Sequence, residues 1–203
     1  MQNDLFEKAP VHKAYFSFAL PVVFSMVISL IYNMADTYFI AGTGNTNLVA
    51  GVSLGAPIFT LMIALGDIFG LGGSSVISRL FGQKKDEDGK RLSVFCFYGA
   101  IVCGVIVAAV MMIFRAPILQ VLGADSDTIV YASQYYTWLV LGAPFIILVY
   151  TPSNLLRTEG FAVGSMTGTV LGAVVNIILD PIFISVLGMG AAGAAIATVI
   201  GNI

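Results

Sequence analysis

Residues 14–41, AYFSFALPVVFSMVISLIYNMADTYFIA, decide the fold. The stretch contains no Lys or Arg and a single acid, Asp36, and about 20 predominantly apolar residues are enough to carry a helix across the hydrocarbon core of a bilayer. It reads as a membrane span. Working outward, four further spans are predicted at about 48–80, 92–114, 129–156 and 163–187. A sixth, at about 191–203, is incomplete and too short to cross, so the chain reads as an unfinished polypeptide.

Composition agrees. Of 203 residues, 58% are hydrophobic and 10% charged, against about 25% charged in a soluble domain. With a mean hydropathy of +0.96 the fold class is all-α and polytopic. No basic run is long enough to neutralise a nucleic acid backbone, so no nucleic acid partner is expected; membrane lipid is. Cys96 and Cys103 are separated by about 10 Å along one helix, too far for an intrahelical disulfide, and read as packing residues. The N-terminal MQNDLFEKAPVHKAYF has charges on both sides of a proline and does not resemble a removable signal peptide.

The connections are GTGNTN (42–47), GQKKDEDGK (82–90), RAPILQVLGADSD (115–127), RTEGFA (157–162) and GMGAAG (188–193). Basic residues alternate with them. Lys8 and Lys13 precede the first span, Arg79, Lys84, Lys85, Lys90 and Arg91 surround the second connection, and Arg157 lies in the fourth. The first and fifth have none, and the third only Arg115. The positive-inside rule then makes the N-terminus cytoplasmic.

Within the spans, Pro21, Pro57, Pro144 and Pro181 each remove a backbone donor, and the pairs Gly66/Gly70 and Gly168/Gly172 have the spacing of close helix contacts. Three acids share the apolar stretches: Asp36, Asp67 and Asp180. Placing a carboxylate at mid-membrane costs about 2.5 to 3.5 kcal/mol, which points to a use for it. At about 1.5 Å per residue, Asp36 lies near 9 Å, Asp180 near 12 Å and Thr198 near 11 Å below the outer surface, with Asn176 one turn below Asp180. If their helices are neighbours, the four make an oxygen-rich pocket without a competing cation. Such a pocket can hold a proton and release it when water enters, or replace part of the hydration shell of sodium. The same residues could instead join helices by hydrogen bonds worth about 0.6 kcal/mol each. Pro181 frees the carbonyl of Ile177 and, like Pro21, is a point where a helix can bend.

Asp67, in ALGDIFGLGG, falls deeper and outside the pocket, and reads as lining a cavity or capping irregular backbone; His12 reads as a solvated residue, and Arg157 and Glu159 as a solvated pair. Tyr135, Tyr136 and Trp138 read as an interfacial belt. In a transporter, Tyr135, Tyr136 and Trp138 would instead offer faces for cationic drugs, with Met26, Met34 and Met62 as an adaptable apolar wall.

In order, IYNMADTYFIAG (31–42), GGSSVISRLFGQ (72–83), LRTEG (156–160), NIILDPIFI (176–184) and GMGAAGAAIATVIG (188–201) resemble the multidrug and toxic compound extrusion (MATE) family. The first motif looks most like its MepA-like bacterial branch. The resemblance covers the whole chain but only the N-terminal half of a family member, whose twelve helices form two six-helix lobes around a central cavity. It implies a six-helix N-lobe with its sixth helix truncated and export of drugs or organic cations by antiport with protons or sodium. It also implies a bacterial plasma (inner) membrane location and a missing C-terminal lobe, or a second copy, as partner. It implies no enzyme activity and no cofactor beyond the coupling ion. The family's N-lobe cation site maps onto Asp36, Asn176, Asp180 and Thr198, with the first helix bending near Pro21. Three alternatives remain: a flippase of lipid-linked or polysaccharide precursors, which tends to need cationic residues absent from these spans; an inactive half-transporter; and an intramembrane aspartyl protease using Asp36 and Asp67, whose motifs match poorly.

Overall fold

The computed structural model describes residues 10–203; Lys8 lies outside them, and the side chain of Lys13 is not described. The first span is one helix, α1, Val11–Ala41. It continues through Pro21, and the hydroxyl of Ser25 donates to the Pro21 carbonyl at 2.9 Å.

The second span is a series of pieces. Asn45 caps α2, Thr46–Ser53, its side-chain oxygen accepting from the amides of Asn47 and Leu48. Next come α3, Ala56–Asp67, a π-helical turn, Ile68–Gly72, and α4, Gly73–Gly82. Pro57, read in the sequence as a lost backbone donor, costs no helical hydrogen bond. It sits in the first turn of α3, where its missing N–H has no role to lose. The third span, α5, is Asp86–Ile113, and its first turn carries Asp86, Glu87 and Asp88 at the positive end of the helix dipole.

Two further expectations are corrected. The connection at 115–127 contains a short helix, α6, Arg115–Val121, in which Pro117 occupies the first turn and is tolerated there. The fourth span is not one rod: α7, Ile129–Leu141, and α8, Ala143–Thr158, meet at 50°. Pro144 cannot donate to the preceding turn and disfavours helical continuation before it, so the bend falls at Gly142, between the two helices.

The fifth span is α9, Ala162–Pro181, extended by a π-helical turn, Ile182–Val186. The last helix, α10, is Gly190–Gly201; at 12 residues it is shorter than a crossing requires. By length and composition the described chain has four membrane-crossing helices, and five when α7 and α8 count as one bent span.

α7 and α8 form the centre. α8 packs on α3 and α5, α7 packs on α2 and α10, and α9 packs on α1 and α10. Lipid tails are as apolar as leucine, so close packing rather than water exclusion holds such helices together. Thus Ala191, Ala194, Ala195 and Ala197 of α10 are wholly buried, while Leu30, Met34, Tyr38 and Val102 remain exposed.

Candidate functional site

The four predicted pocket residues come from α1, α9 and α10. Asn176 and Asp180 are buried one turn apart on α9, and Asn176 Nδ2 donates to Asp180 Oδ1 at 3.4 Å. Directly beyond Asp180, Pro181 cannot bond the Ile177 carbonyl, and the backbone widens into the π turn. Asp180 therefore stands at the point where α9 is irregular.

Close packing brings α10 to it. A Cβ on Gly172 would lie 2.2 Å from the Gly201 carbonyl oxygen, so only glycine lets these backbones approach. Gly201 in turn lies against Asn176. One turn earlier, buried Thr198 donates its hydroxyl to the Ala194 carbonyl at 2.9 Å, which leaves its oxygen free to accept. α1 packs along the other side of α9 and carries Asp36, half-buried, into electrostatic range of Asp180.

Two tyrosines complete the cluster. Tyr135 on α7 is buried with its hydroxyl beside Thr198 and in electrostatic range of Asp36 and Asp180. Tyr32, one turn before Asp36, is in range of it. The sequence reading placed Tyr135 in a membrane belt and overlooked Tyr32. Its i, i+4 spacing to Asp36 was the available signal, whereas the position of Tyr135 depends on the α7–α10 contact and had none.

The chemistry of the cluster lies in its unpaired oxygens. Asp36 Oδ1, Asn176 Oδ1 and Asp180 Oδ2 are buried acceptors without a hydrogen-bond donor. Among the described residues, neither Asp36 nor Asp180 forms an ion pair, and no three His, Cys, Asp or Glu side chains converge as a transition-metal set would. Buried polar groups are nearly always satisfied, so three orphaned oxygens form a place where a proton or a hard cation would supply the missing partner.

Asp67 lies elsewhere. It accepts from Asn154 Nδ2 at 3.3 Å and is in electrostatic range of Tyr150 and Arg157. Arg157 is not part of a solvated pair with Glu159. It belongs to the last turn of α8, is half-buried, and donates from Nε to Ser165 Oγ at 3.0 Å, because α9 folds back across it. Met34 and Trp138 are exposed, at 73% and 43%. Tyr136 is only 1% exposed, its hydroxyl donating to the Met111 carbonyl, so the helix core keeps it from an open wall. Met62 is likewise wholly buried. Of the small-residue pairs, Gly66, Gly70 and Gly172 make close contacts, but Gly168 faces open space.

Apolar crossing helices around an internal oxygen cluster define a polytopic α-helical membrane protein. The MatE family model matches residues 21–182. The chain belongs to the MATE family, a family of multi-span membrane transporters. It is 37% identical over 198 residues to the multidrug export protein MepA of Staphylococcus aureus (strain NCTC 8325 / PS 47), covering 98% of this chain and 44% of that protein. The protein of the same name from Staphylococcus saprophyticus is 36% identical over 198 residues, covering 98% of this chain and 44% of that one. A crystal structure of a MATE proline-to-alanine mutant superposes with a TM-score of 0.90 at 31% identity, covering 99% of this chain and 45% of that one. The outward-facing conformation of a multidrug resistance MATE family transporter of the MOP superfamily gives 0.87 at 32%, covering 92% and 41%. The chain thus spans less than half the length of the relatives it matches.

Proposed function

We propose that this chain is the N-terminal lobe of a cation-coupled exporter of drugs and amphipathic organic cations, and that Asp36 and Asp180 carry the coupling ion. The observation that carries this reading is the set of orphaned buried oxygens on Asp36, Asn176 and Asp180. Asn176 orients Asp180, and Thr198 with Tyr135 offers further oxygens. A proton satisfies the set by turning one carboxylate into a donor; sodium satisfies it by accepting several oxygens at once. The irregular backbone after Pro181 lets α9 respond when the charge is neutralised, and Pro21 gives α1 a point at which to bend.

In the membrane the N-terminus is cytoplasmic, which puts the Gly42 end of the bundle outside and the Gln83 end inside. The drug passes between this lobe and a second one, against a surface to which exposed Met34 and Trp138 can contribute. The protease alternative loses its dyad, since Asp36 associates with Asp180 and Asp67 with Asn154. Proteoliposomes containing the full reading frame test the proposal. Asp36→Asn with Asp180→Asn should abolish gradient-driven drug efflux, and normal efflux from both single variants would refute the assignment. Imposing a proton gradient and a sodium gradient separately identifies the ion.

A further inference from the structure

A coupling ion taken up at the Gly42 end must still leave at the Gln83 end. On that side, the membrane acid not used by the site just described is Asp67. We propose that Asp67 is a second station for the coupling cation, on the Gln83 side of the Asp36–Asp180 site. The proposal rests on the cation-coupled reading above.

The placement is specific. Asp67 ends α3 immediately before the π turn, and Gly70 in that turn lies directly on α8. A Cβ there would stand 2.7 Å from both Asn154 Nδ2 and the Tyr150 carbonyl oxygen. The close approach sets Asp67 beside Asn154, its sole hydrogen-bond donor among the described residues, so its second oxygen is free. Asn154 Nδ2 is itself held by the Tyr150 carbonyl at 2.8 Å.

Tyr32 lies one turn before Asp36 on α1, and the Tyr150 carbonyl holds the Asn154 amide that donates to Asp67. Two buried hydroxyls without partners, Thr151 on α8 and Ser74 on α4, lie on the helices bordering Asp67. For a proton the balance is simple: protonated Asp36 gives up its proton to water, water gives one to Asp67, and Asp67 ends protonated. For sodium, the same oxygens replace successive parts of the hydration shell. Beyond Asp67, in the last turn of α8, stands the guanidinium of Arg157, in electrostatic range and tied to Ser165. Its positive charge keeps a cation from settling deeply at Asp67, and a transfer station must bind weakly enough to release.

The experiment uses proteoliposomes of the full reading frame under whichever gradient drives the wild type, with two measurements: gradient-driven efflux, and drug exchange without a gradient. Asp67→Asn should lower gradient-driven efflux at least tenfold while exchange stays at the wild-type rate, and Asp67→Glu should restore most of the loss. Wild-type efflux from Asp67→Asn overturns the proposal. So does equal loss of efflux and exchange without rescue by Glu, which would make Asp67 a packing residue. If the Asp36→Asn and Asp180→Asn variants still couple, the parent reading fails instead, and the two failures are told apart.

Discussion

Asn176 and Asp180 are joined by a 3.4 Å contact from the amide nitrogen to one carboxylate oxygen, while the other carboxylate oxygen of Asp180 and the amide oxygen of Asn176 have no donor. The pair is oriented but not satisfied. A pair kept only for packing within α9 would have its other oxygens satisfied, since leaving a buried acceptor unpaired costs about 1 to 3 kcal/mol.

Asp180→Asn separates stability from function. The amide removes a buried charge while keeping the shape, so the thermal unfolding midpoint in detergent should stay the same or rise. Gradient-driven transport should fall at least tenfold. A large fall in the midpoint would instead make Asp180 a structural residue.

Tyr135→Phe removes one hydroxyl from beside Thr198 and nothing else. A hydrogen bond worth about 1 kcal/mol corresponds to roughly fivefold in affinity, and that is the expected rise in half-saturating coupling-ion concentration. Folding should be retained, because the ring still packs against Gly55. Tyr136→Phe is the matched control: it removes the bond to Met111 and should leave ion dependence unchanged.

The crossing helices were legible in the sequence because they follow from apolar run lengths, and a fixed rise per residue was enough to group Asp36, Asn176, Asp180 and Thr198 at one level along them. Three features were not. The bend at Gly142 needs Pro144 to act on a helix whose hydropathy is continuous, and run length is blind to it. The helix at Arg115–Val121 is too short and flanked by too many turn formers to stand out. Arg157 looked solvated because its partner, Ser165, lies across a chain reversal.

Gly172→Leu tests the contact that delivers Thr198 to the pocket. The added side chain would collide with the Gly201 backbone, and overpacking of this kind costs about 1 to 3 kcal/mol. A lower unfolding midpoint and weaker ion dependence are expected together. Gly168→Leu, one turn away and facing open space, should change neither.

The turn leading into α7 is sensitive to acid in a direction that can be worked out. Exposed Asp125 accepts from the Thr128 hydroxyl at 2.7 Å and from the amides of Thr128 at 2.9 Å and Asp127 at 3.2 Å. The Thr128 hydroxyl first, then its amide, hold the Asp125 carboxyl below the usual carboxylate range. A carboxyl with a depressed pKa in the folded protein stabilises at pH above its unfolded value, and that contribution is lost as pH falls through the folded one. Hydrogen exchange at the Asp127 and Thr128 amides should therefore be slow, relative to their intrinsic rates, at neutral pH and lose protection below the normal carboxylate range. Asp125→Ala should show the unprotected behaviour at every pH, and retained protection in that variant would mean that the backbone alone holds the turn.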